Sequence, residues 1–138
     1  MKSRRMASLR RSLGRRGENA VIRLLRSKDC RILAHNWKIK AGELDIVALD
    51  GDEIVFVEVK TKRHKKVPSG LPQYSNLSNR QRRRNLAAAK FFRKAMQCGQ
   101  LAARFDLWQL EYSRTGLLYS CTCTTDYLMP LPPENRPL

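Results

Sequence analysis

Gly42-Glu43-Leu44-Asp45-Ile46-Val47-Ala48-Leu49-Asp50-Gly51-Asp52-Glu53-Ile54-Val55-Phe56-Val57-Glu58-Val59-Lys60 places two β-branched apolar runs on either side of a turn. Asp50-Gly51-Asp52 signals a hairpin, because glycine readily takes the positive φ of tight turns. Alternation then puts Phe56, Glu58 and Lys60 on one face of the second strand and Val55, Val57 and Val59 on the other. If Asp50 pairs with Glu53, Asp45 lies opposite Glu58, and Glu43 opposite Lys60. If the turn is Asp50-Gly51 instead, Asp45 still shares the face of Glu58. Only an odd-residue loop or a bulge would separate them.

Charged groups at the end of an apolar strand are costly to bury without a partner or a task. Mutual ion pairing of Glu58 and Lys60 at a sheet edge is the plain reading. Two carboxylates meeting across strands call for more, because they repel unless a cation lies between them. A hard divalent ion such as Mg²⁺ or Mn²⁺, held by Asp45 and Glu58, is the natural resolution. Such an ion would polarise a phosphate and acidify a water, while Lys60 orients that nucleophile or neutralises developing charge. Glu18, on a helix upstream, could complete the ligand set, or it could simply be an acid near a helix N-terminus. Glu43 suits ion pairing with Lys60 equally well.

The rest of the chain supplies a setting for this pair. With 138 residues and 42% apolar content, one domain with one core is expected. Twenty-eight Lys and Arg against twelve Asp and Glu give a net charge of +16. Seven basic residues fall in 1–16, five in 60–66 and seven in 80–94. Stripes of this kind attract polyanions, chiefly nucleic acid. An anionic membrane surface is the weaker partner, since no basic segment is backed by Trp, Phe or Leu at helical spacing. No apolar run approaches a membrane span, and the basic start lacks the apolar region of a secretory signal, which predicts a soluble cytoplasmic protein. Cys30, Cys98, Cys121 and Cys123 form no C-x-x-C pair, and neither His35 nor His64 stands at a zinc-like spacing. Buried free thiols are expected.

Residues 1–13 read as a disordered basic arm, 14–126 as one domain and 127–138 as a proline-rich tail. A helix is expected over about 15–28, with Gly17, Ala20, Val21, Leu24 and Leu25 as its buried stripe. Strands follow at 31–40, 42–49 and 54–60. Residues 61–79 form a long loop, in which Tyr74 either packs on the core or stacks on an unpaired base. A second helix spans about 79–97, capped by Asn79 or Ser78, with Leu86, Ala89, Phe92 and Met96 among its apolar positions. Strands at 104–111 and 116–124 complete an α-β-β-β-α-β-β order.

These residues also match a known pattern. Asp45, then Glu58-x-Lys60 after a hairpin, preceded by a helix bearing Glu18, resembles the PD-(D/E)xK nuclease superfamily and its archaeal-type Holliday junction resolvases. Gly14-x-x-Gly17-Glu18, Asn36-Trp37, Gly42-Glu43-Leu44-Asp45, Phe56-Val57-Glu58-Val59-Lys60-Thr61 and Arg104-Phe105-Asp106 resemble, in that order, the YraN-like bacterial family. The resemblance covers about residues 14–112. It implies an α/β, restriction-endonuclease-like fold with a central mixed sheet flanked by helices, and a nuclease-type site at Glu18, Asp45, Glu58 and Lys60. Two positions depart from the pattern: Gln81 stands where relatives usually carry a lysine, and Leu44 replaces the proline of the superfamily name. The basic helix near Arg80 and the 60–66 loop would flank the site. Arg80, Arg82, Arg83, Arg84, Lys62 and Arg63 are therefore candidates for phosphate contacts, against the alternative of ordinary solvated charge. The implied function is metal-dependent cleavage of structured or branched DNA. The alternative is a non-catalytic nucleic-acid-binding accessory in DNA uptake, repair or recombination. A homodimer is compatible with the resemblance, because resolvases make two cuts.

Overall fold

A computed structural model describes residues 2–64 and 77–128. Helix α1 (Lys2–Ser27) leads into strands β1 (Arg31–Ile39), β2 (Gly42–Asp50) and β3 (Glu53–Arg63); helix α2 (Asn79–Ala95) follows, then β4 (Ala103–Tyr112) and β5 (Leu118–Thr125). The five strands form one sheet in sequence order. Every neighbouring pair is antiparallel except β3 and β4, which run parallel and are joined through α2. The α/β class and the element order agree with the sequence reading.

Each helix covers one face. Ala20, Val21, Ile22 and Leu25 of α1 pack on Ile46, Ala48, Val55, Val57, Trp108 and Leu110. Ala88, Ala89 and Phe92 of α2 pack on Leu44, Val47, Phe56 and Phe105. Phe92 meets both Phe56 and Trp37 edge-on, with ring centroids 5.9 and 5.3 Å apart. Such pairs add to the gain from burial alone.

Several boundaries differ from expectation. The stretch read as a disordered arm is helical from Lys2 onward, and residues 3–12 are exposed along it. Its Ala, Leu, Met, Lys and Arg are good helix formers, so the helix runs on past the packed part of α1. In α2 the buried side is Asn85, Ala88, Ala89, Phe92 and Arg93, while Leu86 and Met96 are exposed. Helical periodicity alone left the choice of face open, and Trp37 and Phe56 settle it. Ser78 is the N-cap, its hydroxyl accepting from the Gln81 amide. Cys30 is buried as expected, but Cys121 and Cys123 are exposed on edge strand β5, beyond the cover of α1. Tyr127 and Leu128, assigned to the tail, pack on the α2-side core. Tyr74 and most of the 61–79 loop lie outside the described residues.

Two glycines let helices approach the sheet. A Cβ on Gly17 would meet Thr61 Cγ2 at 1.9 Å; on Gly42 it would meet the backbone carbonyl oxygen of Arg84 at 2.2 Å. Thr61 can rotate away, whereas a helix backbone cannot. Gly42→Ala is therefore expected to cost about 3 kcal/mol, toward the upper end for overpacking, and Gly17→Ala less. Urea unfolding of both variants checks the order; equal losses would mean that α2 shifts freely over β2.

Candidate functional site

The hairpin register is the one that pairs Asp50 with Glu53, and Gly51 takes a φ of +62° in the turn. The β2–β3 ladder runs from that turn to Ile46↔Val57 and stops. On its other side, β2 passes from the pair His35↔Ile46 to Trp37↔Leu44. Asp45 stands in neither ladder. Opposite it on β1, Asn36 adopts a φ of +52°, a left-handed conformation that asparagine tolerates. The strand kinks here: Leu44 packs on the α2 side although Ile46, two residues on, packs on the α1 side. Freed from the pleat, the Asp45 carboxylate accepts a hydrogen bond from the Val59 amide at 2.8 Å. It thereby takes the place of a backbone acceptor at the point where the strands part.

That geometry brings Asp45 to Glu58. Glu58 is buried, and Lys60 Nζ, on an exposed side chain, lies 3.5 Å from its Oε1. Burial first, and then the Asp45 charge, push the Glu58 carboxyl up to about 8, with Lys60 opposing. Burial raises Asp45 to about 6 against the Val59 amide, and the nearby Glu18 charge adds to the rise. Both carboxyls are raised, so the pair holds on to one proton between them at pH values where free carboxyls have lost theirs. Two carboxyls competing for one proton in a buried corner form a site that favours a cation.

Glu18 faces this corner from α1, but its carboxylate is held by His35 Nε2 at 3.0 Å. Among the described residues, no three His, Cys, Asp or Glu side chains converge as a ready metal cluster. Glu43 lies in the β1–β2 ladder opposite Lys38, in place of the expected Lys60.

The α2 side contributes two groups that sequence reasoning did not find, Asn85 and Tyr127, joined to Gln81, which it had singled out. Gln81 Nε2 donates to Asn85 Oδ1 at 3.0 Å, and Asn85 Nδ2 donates to the Tyr127 hydroxyl at 2.8 Å. Asn85 is fully buried, and the charges of Glu58 and Asp45 both reach Tyr127. With its oxygen accepting from Asn85, the hydroxyl proton is free to point onward. The one sign in the sequence was an asparagine on the helix face that carries Ala88, Ala89 and Phe92. Of the arginine candidates, Arg82 turns toward Tyr127, and its buried Nε lacks a hydrogen-bond partner. Arg80 and Arg83 point to solvent, and Arg84 packs its backbone on Gly42. Lys62 and Arg63 lie farther along β3, past the acid pair. The motif Arg104-Phe105-Asp106 is structural: Arg104 binds Asp50, Glu53 and Asp106 together, and Phe105 stacks on Phe56.

No helix among the described residues is long and apolar enough to cross a membrane. Comparison with known proteins bears out the expected family. A UPF0102 protein of Pelotomaculum thermopropionicum is 39% identical over 111 residues, 80% of this chain and 90% of its own length. Proteins of the same name from Geobacter metallireducens and Pseudomonas putida are 39% and 36% identical over 102 and 100 residues, covering 74% and 72% of this chain and 81% and 79% of their own. The family model matches residues 17–110, across both glycine approaches, the kinked strand and the acid pair, and the chain belongs to the uncharacterised protein family UPF0102.

Proposed function

We propose that this protein is a nuclease that uses a divalent cation to cleave phosphodiester bonds in structured or branched DNA. One observation carries the reading: Asp45 is released from both ladders of its strand and meets buried Glu58 beside Lys60. A fold that needed only stability would keep the ladder and bury no second acid.

The donor set fits a hard cation such as Mg²⁺ or Mn²⁺. Asp45 and Glu58 would hold it, with Glu18 joining if it leaves His35; when bound, the ion would polarise a phosphate oxygen and lower the pKa of a water. Binding of the ion would release to solvent the proton that Asp45 and Glu58 hold between them. The Lys60 ammonium then neutralises charge developing on the phosphate or orients the attacking water. Arg82, pointing in from α2, suits a flanking phosphate. The Gln81–Asn85–Tyr127 chain places a hydroxyl donor at the rim.

Because the ligands bind metal only when deprotonated, affinity should rise with pH through the raised values near 6 and 8 and level off above them. Titration with Mn²⁺ at stepped pH, read by calorimetry, checks this. Affinity flat over that window would remove the pair as ligands.

The decisive test is a cleavage panel of single-stranded, duplex, flapped and four-way DNA, plus RNA, with Mg²⁺ or Mn²⁺. Cutting that survives both Glu58→Ala and Lys60→Ala would overturn the site. Binding without cutting on every substrate would favour a non-catalytic accessory. Two observations lean toward that second reading: Gln81 is tied to Asn85 where relatives usually carry a lysine, and Glu18 is engaged by His35.

A further inference from the structure

A second recess, of about 560 Å³, opens between the N-terminal half of α1 and the far end of β3. Met6 and Leu9 give it an apolar wall, each about half exposed on the helix. Arg10, Lys62, Arg63 and Arg114 rim it. Arg63 is fixed in place: its Nε and Nη2 donate to the Arg114 carbonyl at 3.2 and 2.8 Å. A neutral acceptor orients a guanidinium without cancelling its charge. Among the described residues, none of these four cations has a carboxylate at ion-pairing distance. The acid nearest in the fold, Glu111, is buried and taken by the Tyr119 hydroxyl at 2.6 Å and by His64 at 3.5 Å. Four convergent cations left uncompensated around an apolar wall favour an anion that also has an apolar face.

From this we infer that the recess takes one unpaired nucleotide of a single-stranded nucleic acid, its base against Met6 and Leu9 and its phosphates on the arginine rim. The volume lies within the roughly 300–1,000 Å³ of small-ligand sites. A double helix cannot enter such a recess. Inorganic phosphate would leave the apolar wall unused, and an apolar peptide would leave the cations uncompensated. Single-strand sites combine a stacking surface, commonly aromatic, with backbone cations; here Met6 and Leu9 supply the apolar surface. Arg63 follows Glu58 on the same strand, roughly 16 Å along it at the usual strand rise. The inference holds whether or not the acid pair cuts.

The test uses the full chain in EDTA, so that cleavage cannot intervene, with fluorescence anisotropy on short oligothymidylate, oligouridylate and a blunt duplex of equal length. Single strands should bind more tightly than the duplex. Leu9→Glu, at an exposed helical position where glutamate keeps the helix, and Arg63→Ala should each weaken single-strand binding about tenfold, the size of one lost base or phosphate contact. Duplex binding should stay nearly unchanged. Arg63→Ala should also lower the salt dependence by about one counterion. Equal losses on duplex and single strand would reduce the recess to diffuse surface charge, and no loss on either would overturn it. Concentration-dependent dimerisation abolished by Leu9→Glu in sedimentation would instead assign the apolar wall to contact between copies, which also overturns it.

Discussion

Glu58→Gln is expected to abolish divalent-dependent cleavage, by about a thousandfold or more, while making the metal-free protein more stable at pH 8. The first half follows from removing one of two carboxylates available to hold the cation; electrostatic groups at reacting phosphates carry effects of this order. The second half follows from linkage. In the folded chain Glu58 is raised to about 8 by burial and by Asp45, well above its ordinary value of 4.5. A raised acid contributes stability that is fully present below its unfolded pKa and is lost as pH rises through the folded one. The wild-type chain should therefore weaken between about pH 4 and pH 8, and the Gln variant should weaken less. At pH 8 the variant should gain on the order of 2 kcal/mol, and at pH 4 almost nothing. Urea unfolding in EDTA at both pH values measures the gain, and saturating Mn²⁺ should reverse the order by stabilising only the wild type. A variant that loses stability at both pH values would mean that the Glu58–Lys60 ion pair dominates and that the acid pair carries no stored repulsion.

Much of this site was written in local sequence. A two-residue turn and period-two alternation placed Asp45 beside Glu58, because register propagates from a glycine turn without knowledge of the rest of the chain. What local pattern could not supply was the kink. Alternation puts Asp45 in the ladder opposite Glu58, whereas the ladder ends one residue earlier and Asp45 accepts from the Val59 amide instead. The β1–β2 ladder also skips this point, where Asn36 takes a positive φ, and no period-two signal marks it. Asn85 and Tyr127 are 42 residues apart and meet only through tertiary packing. A lone asparagine on a helix face and a tyrosine before a proline-rich tail carry no local mark of their partnership. Glu18 was correctly placed on the first helix, but its bond to His35 joins two elements whose relative register no local rule fixes.

Arg104→Met is expected to be the most destabilising single change outside the apolar core, at about 3–5 kcal/mol, because it leaves carboxylates without their cation. Arg104 contacts Asp50 and Glu53 at either end of the β2–β3 turn and Asp106 on β4. The three acids hold the guanidinium protonated well above its ordinary range. Asp106 is only 2% exposed, and its carboxyl is already raised by burial even with Arg104 beside it. Without that cation its pKa should climb further, so the variant's deficit should shrink as pH falls and Asp106 protonates. Arg104→Met with Asp106→Leu should recover part of the loss by removing the orphaned charge along with its partner. Unfolding in urea at pH 7 and pH 5 separates this account from simple loss of packing, which would cost the same at both. The knot bears on the site as well. Asp106 lies beside Val57 in the β3–β4 ladder and accepts from the Asp126 amide, next to Tyr127. It therefore ties down both the hairpin that presents Asp45 and the turn that carries the hydroxyl. Yet the Asp45–Val59 bond and the Phe105–Tyr127 ring contact remain without it. Cleavage per folded molecule, measured below the melting transition, should accordingly stay within a few-fold of wild type. A loss far beyond the unfolded fraction would make Arg104 a positioning residue for the acid pair as well as a staple of the fold.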